Sequence, residues 1–360
     1  MTEAPELLRS AGALFWAWVP PAALQGGVAL LVAWVVDVLL PRQAAPELRE
    51  GVWALALFKL VLPPTLASPL SVASLLPAAV AARAGTPLGS DPVSWALPAA
   101  AAWVAGALAF LGFAALRSFR ARRGLRRIRE SASARDHAAL DGAAARLGIR
   151  ARPGLFRLPG AGSPFVLGAF RPAIYLPASV GEAELPHVLL HELAHVARRD
   201  SLRQGAARLL HALFWFHPLL PWARRRLAAA AEAACDRRVA CALGQEASGY
   251  RACLLDFYRR AQVAPVGLPF LAPPTALRLR LEAIAGAGRQ RSTSQRLGTA
   301  VLVCLLAAAF LPMAAVAERR SLEVAEWIAR PPGCLQLRYL VLQRLAREAT
   351  EAPPSTEPLR

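Results

Sequence analysis

His191-Glu192-Leu193-Ala194-His195, followed 37 residues later by Glu232-Ala233-Ala234-Cys235-Asp236, is the pair of segments around which this sequence organises. Residues four apart on a helix share a face. His191 and His195 can therefore each bring a ring nitrogen about 2.0–2.1 Å from one zinc ion. A catalytic zinc takes three protein ligands and keeps one position open. Glu232 is the candidate third ligand, because the intervening stretch holds one predicted helix and a proline-containing turn, enough to bring a second helix back antiparallel. Glu192, beside the first histidine, is placed to take a proton from a water whose pKa the ion lowers to about 7. Asp236, one turn after Glu232, either accepts the free ring N–H of a zinc histidine and fixes its tautomer, or pairs with Arg237. Two imidazoles and a carboxylate suit a hydrolytic centre.

These segments lie in a polar block, 117–296, large enough to form a domain. Helices are predicted at 136–147, with Gly148 as the stop, and at 184–198, with Pro186 tolerated in the first turn. Further helices are predicted at 202–216, 222–243, 249–262 and 275–285. The stretches 154–158 and 165–176 are rich in strand formers, and the second reads as a hairpin turning near Gly168 to Pro172. The block is thus α+β, a small sheet followed by helices.

Hydrophobic residues make up 56% of the 360 and charged residues 18%. That balance excludes a disordered chain and argues against a wholly soluble one. Four charge-free runs flank the block, at 10–36, 60–82, 92–116 and 297–317. Each reaches the roughly 20 residues that cross a bilayer. The first extends to about 40 if it buries Asp37, and the second starts as early as 52 if it includes Lys59. Seven arginines between Arg117 and Arg129 follow the third run, and Arg289, Arg291 and Arg296 precede the fourth. Positive flanks stay in the cytoplasm, which places 117–296 inside and both termini outside. The net charge of +18 suggests nucleic acid at first sight. But Lys59 is the only lysine, and an arginine excess of this kind reads as composition bias plus a topology signal on anionic lipid. No direct nucleic-acid partner is expected. Glu3 and Glu6 stand where a secretory signal would be basic, so no cleavable signal is expected. Five irregularly spaced cysteines make neither a disulfide framework nor a zinc ribbon.

His191-Glu-Leu-Ala-His195 with Val-Ala-Arg-Arg-Asp200 after it, then Leu213-Phe-Trp-Phe-His217-Pro218, then Glu232-Ala-Ala-Cys-Asp236, together resemble the membrane zinc metallopeptidases of the BlaR/MecR antirepressor type. The segment from Ser163 to Pro177 resembles the one that precedes the zinc helix there. The resemblance implies an α-helical membrane protein with four transmembrane helices and an inserted α+β, gluzincin-like zinc peptidase domain. Its layout would be a membrane region at 1–116 (spans about 10–40, 52–82 and 92–116), the cytoplasmic peptidase domain at 117–296, a fourth span at 297–317 and an extracytoplasmic tail at 318–360. It implies His191, His195 and Glu232 as ligands of one Zn2+ per chain and Glu192 as the base. It also implies a bacterial cytoplasmic-membrane location and cleavage of a cytoplasmic protein, typically a transcriptional repressor, or of the chain itself. Only 43 residues follow Ala317, too few for the penicillin-binding sensor of those receptors, so β-lactam sensing is not carried over.

Other residues keep two readings. Asp200 is expected to N-cap the next helix. His217 either packs in an apolar setting at the membrane surface or donates to the transition-state oxyanion. His187 shares the face of His191 but exceeds the ligand number. Cys235 reads as a small buried filler. Beside the signalling protease stand a quality-control protease of broad choice and a non-catalytic membrane scaffold.

Overall fold

The computed structural model describes residues 3–41, 44–64, 92–150, 152–159, 163–263, 274–287, 298 and 301. These fall in a contact unit formed by Met1–Pro64 and Pro87–Leu311; a second unit, Thr65–Thr86 with Pro312–Arg360, lies outside the described residues. In the N-terminal part, helix α1 (Glu3–Leu39) runs through Pro20 and Pro21 without ending. Helix α2 (Pro46–Lys59) starts on a proline, and helix α3 (Pro92–Ile128) continues through the arginine run, past the expected end at 116. Leu14–Leu39 and Trp95–Ile128 are long and apolar enough to cross a membrane. Their most apolar windows are only 33% and 11% buried, which separates them from the core helices of a soluble domain. Leu24, Leu31, Trp34 and Val38 on α1, and Trp95, Leu108 and Phe113 on α3, point outward, as a lipid-facing surface would require.

These two helices coincide with the first and third expected spans. At the second, the described helix begins at Pro46 and has 14 residues, short of a span by itself. The remainder of that span beyond Pro64, most of the fourth span and the tail lie outside the described residues.

In the polar block, the sequence signals translate closely into elements. Strand β1 (Glu130–Ser131) leads into helix α4 (Ala134–Leu147), where Ser133 and Asp136 cap each other reciprocally and Gly148 ends the helix in the left-handed conformation. Strands β2 (Gly154–Leu158), β3 (Phe165–Leu167) and β4 (Ala173–Pro177) complete a sheet of order β1-β2-β4-β3. β2 and β4 are parallel, whereas β3 and β4 form the expected hairpin with Val166 opposite Ile174. Its turn needs Gly168: φ is +110°, and a Cβ there would run into the carbonyl oxygen of Arg171.

Helices α5 (Leu185–Arg198), α6 (Asp200–Leu213), α7 (Leu220–Leu243), α8 (Ala247–Val263) and α9 (Pro274–Ala285) follow. Leu189, Leu193, Ile174, Leu176, Cys235 and Val239 lie in the core of the block. A second core joins α1 and α2 to α6 and α7 through Leu30, Trp53, Phe214, Leu220 and Ala223. α7 serves both cores. Its alanine-rich sequence lets α2, α5, α6 and α9 all pack against it.

The loop between α6 and α7 is seated on α1 and α3. Trp103 donates its Nε1–H to the Leu213 carbonyl at 2.6 Å, and the Trp215 indole lies where a Gly106 side chain would be. Asp37, buried near the end of α1, accepts from Arg49, from Trp53 Nε1 at 3.0 Å and from Arg226 Nε at 3.1 Å. A buried carboxylate is thereby paired rather than stranded.

Within the block, Arg157 on β2 grips Asp136 on α4 with Nε at 2.9 Å and Nη2 at 2.5 Å. This bidentate pairing holds the Asp136 carboxyl down at about 2, below its ordinary 3.8. A depressed carboxylate stabilises the fold above its unfolded pKa and loses that contribution as pH falls through the folded value. Asp136→Ala is expected to cost about 2–3 kcal/mol near neutrality. Thermal unfolding of the solubilised full chain should show the gap from wild type closing as pH drops from about 4 to about 2.

Candidate metal centre

α5 carries His191 and His195 on one face, while Leu189 and Leu193 on its opposite side are fully buried. α7 presents Glu232 to that face. Atoms bonded to zinc at about 2.0–2.1 Å with tetrahedral angles stand about 3.3–3.4 Å apart. Here the two Nε2 atoms are 3.1 Å apart. Glu232 Oε2 lies 3.4 Å from His191 Nε2, and its Oε1 lies 3.4 Å from His195 Nε2. Each imidazole thus faces one oxygen of the same carboxylate at a spacing close to that between zinc ligands, and one ligand atom from each residue lies within 4.8 Å of the others.

The other ring nitrogens explain why these atoms need a cation. His195 Nδ1 is 2.8 Å from Asp200 Oδ2, an acceptor, so it carries a proton. His191 Nδ1 is 2.8 Å from the Tyr250 hydroxyl oxygen and 3.1 Å from Asp236 Oδ1. Tyr250 gives its own proton to Asp236, so this Nδ1 is a donor too. With both Nδ1 atoms protonated, the Nε2 of each neutral ring is an acceptor facing an acceptor carboxylate, so the cluster takes up either protons or a metal ion. Acceptor atoms of three residues gathered at spacings of 3.1 and 3.4 Å repel unless a proton or a metal ion sits among them. The nearest fixed charge is Arg280 on α9, which pairs with Asp236 through Nε at 2.5 Å and Nη2 at 2.9 Å. Its Nη2 approaches His191 Nε2 at 3.4 Å.

Glu192 is 5% exposed, and burial raises its carboxyl pKa against the nearby charges of His191 and His195. The Cys235 thiol donates to Asp200 Oδ2 at 3.2 Å, and burial drives its pKa up. His195, Asp200 and Cys235 form a second cluster of ligand-type atoms. There, however, N–H and S–H donors already occupy Asp200 Oδ2.

The structure thus brings His191, His195, Glu232, Glu192 and Asp236 together. It does not bring His217. That ring lies against α1, with Nε2 3.2 Å from the Ala23 carbonyl and Nδ1 accepting from the Leu219 N–H at 3.3 Å. With both nitrogens engaged there, neither faces the cluster. His187, one turn before His191, is also apart from the triangle, near Gly249.

Asp200 departs from its expected role. Arg199, not Asp200, is the cap residue of α6, and it holds the left-handed conformation at φ 56°. That corner turns Asp200 back beneath His195. Tyr250 and Arg280 carried no sequence signal. They lie 59 and 89 residues from His191, each on a helix of its own.

Burial opposes charge on His191, but hydrogen bonds to Asp236 and Glu232 outweigh it and push the imidazole up to about 10. His195 is raised as well, by Glu232 and Asp200 against its burial. Without metal the site therefore binds protons, and a metal must displace them. Zinc uptake near neutrality is expected to release about one to two protons, with affinity falling as pH falls. Calorimetry in buffers of differing ionisation enthalpy reads that number directly; uptake without proton release would contradict the protonation described.

Comparison with known proteins places this geometry in a lineage. A segment is 36% identical over 83 residues to the "Regulatory protein BlaR1" of Bacillus licheniformis, covering 22% of this chain and 14% of that protein. Another alignment is 32% identical over 81 residues to the "Methicillin resistance mecR1 protein" of Staphylococcus aureus, covering 21% and 14%. The chain therefore aligns with only a small part of either relative's length. Residues 18–284 match the family described as BlaR1 peptidase M56, a stretch that includes α2–α8 and all but the last residue of α9. The protein belongs to the BlaR1 peptidase M56 family.

Proposed function

We propose that the protein is a membrane-embedded zinc endopeptidase that cuts a cytoplasmic transcriptional repressor, or itself, to relay a signal arising at the cell envelope. The observation that carries this reading is the convergence of His191, His195 and Glu232, whose ligand-type atoms lie within 4.8 Å of one another. Zinc bound there would polarise the scissile carbonyl and lower the pKa of the attacking water to about 7.

The chain's own residues supply the rest. Glu192 takes the water's proton and returns it to the leaving amine, a role that a buried, raised carboxyl suits. Asp200 and Asp236, the latter with Tyr250, hold the two imidazoles in the tautomer that leaves Nε2 free. Arg280 neutralises Asp236 and keeps a fixed positive charge beside the reacting groups. Strand β3 offers a place for substrate. Among the described residues it pairs with β4 alone, and it lies against α5. An extended peptide that adds to this edge would be held by main-chain hydrogen bonds beside the helix that carries His191 and His195.

In this reading 117–296 is a cytoplasmic domain between a third span and a fourth at 297–317. The tail at 318–360 is extracytoplasmic. The Bacillus licheniformis relative is a regulatory protein, which favours signalling over general proteolysis.

Glu192→Gln is expected to keep stoichiometric zinc and to lose cleavage by at least about 100-fold. Proteomic comparison of cells making the wild type or this variant should reveal one cytoplasmic protein cut only in the former. Equal cleavage in both would remove Glu192 from its role. Broad loss of many substrates would favour quality control over signalling.

A further inference from the structure

Glu50 belongs to α2, in the N-terminal part of the chain, yet its carboxylate is tied to the metal centre. It is 7% exposed and pairs with both Arg198, the last residue of α5, and Arg203 on α6. Arg198 turns its Nε to Asp200 Oδ2 at 3.3 Å, and Arg203 Nη1 lies 3.5 Å from Asp200 Oδ1. Asp200 Oδ2 is the atom that takes the His195 Nδ1–H at 2.8 Å. Glu50, the two arginines side by side and then Asp200 thus link α2 to a ring whose other nitrogen belongs to the acceptor cluster.

The charges explain the arrangement. Two guanidinium groups face Asp200, and a carboxylate fully engaged by both would be a poorer acceptor for an imidazole N–H. Glu50 takes up Arg198 Nη2 and the same Arg203 Nη1 that approaches Asp200, drawing both guanidiniums toward itself. On Asp200 Oδ2 the His195 N–H is then the shortest contact, at 2.8 Å against 3.3 Å for Arg198 Nε and 3.2 Å for the Cys235 thiol, and Oδ1, buried, makes no hydrogen bond among the described residues. We propose that Glu50 is a positioning residue for the metal centre: by neutralising Arg198 and Arg203 it leaves Asp200 free to hold His195, so that metal affinity depends on α2 staying docked. This rests on the zinc-site reading above. A contact made only to dock α2 would look like Glu47 to Arg237, at 3.0 Å, which is half-exposed and leads to no ligand through its carboxylate.

The test is zinc affinity, measured by chelator competition on the solubilised full chain, with the thermal stability of the metal-free form recorded alongside. Asp200→Asn alone is expected to weaken zinc about 10–100-fold, as loss of a ligand's direct partner does. Glu50→Gln should weaken it about 5–10-fold in the otherwise wild-type chain and less than about twofold when Asp200→Asn is already present. Glu47→Gln should leave affinity within about twofold. If Glu50→Gln does not fold, Glu50→Asp is read in the same cycle. It is expected to weaken zinc about threefold with Asp200 present and not at all with Asn there. Equal losses in the two backgrounds, or no loss in either, would overturn the positioning role while leaving the zinc site standing. A wild-type chain that takes up no zinc, or a His195→Ala variant that binds as tightly as wild type, would overturn the site and the positioning role together.

Discussion

The convergence of three lone pairs, from two imidazole Nε2 atoms and one carboxylate, is the constraint that the rest of the structure serves. Such a cluster is unfavourable by itself and becomes stabilising only around a cation. Holding it in readiness requires that each ring be locked from behind. Asp200 locks His195; Asp236 and Tyr250 lock His191. Those carboxylates are themselves buried and need partners, which Arg198 and Arg280 provide. The charge pattern therefore spreads outward in alternating signs from the centre to α9 on one side and to α2 on the other.

The helices that deliver these groups follow from packing. α5 buries Leu189 and Leu193, which fixes the direction in which the two histidines project. α7 must come close enough for Glu232 to meet both rings while also receiving α2 and α9. A run of alanines, with Ala233 and Ala234 fully buried, permits that approach. The same helix extends into the core shared with α1 and α2, where Leu220 and Ala223 pack beside Trp53. The helix that carries Glu232 is thus continuous with the surface that packs on α1 and α2.

Much of this was legible in the sequence because it depends on local periodicity. The spacing of His191 and His195 places two rings on one helical face whatever the surroundings, and Gly148 and Gly168 mark a helix end and a hairpin turn through backbone freedom alone. The approach of Glu232 and the partnership of Asp236 with a histidine followed from one helix returning antiparallel. Asp200 was misread because an acidic residue just after a helix usually caps the next one. Here a left-handed Arg199 turned it back on His195 instead. The spacing of an Asp five residues beyond the second histidine was the available signal. Arg280 was hidden for a different reason. One arginine among so many carries no information until the fold brings it to Asp236. Glu50 was equally silent, since its partners lie about 150 residues away. His217 shows the reverse case. Its aromatic neighbourhood allowed a catalytic role, but the seating of the α6–α7 loop on α1 leaves it hydrogen-bonded to the Ala23 carbonyl.

The most direct test of the central claim is X-ray absorption at the zinc edge, on the purified full chain loaded with one equivalent of zinc. The account requires a shell of nitrogen and oxygen at about 2.0–2.1 Å with the outer-shell signature of two imidazoles. One imidazole should be lost in His191→Ala, and the carboxylate oxygen in Glu232→Ala. A sulfur neighbour at about 2.3 Å would instead put the ion on the Asp200–Cys235 side of His195. That result, or a spectrum unchanged by either substitution, would contradict it.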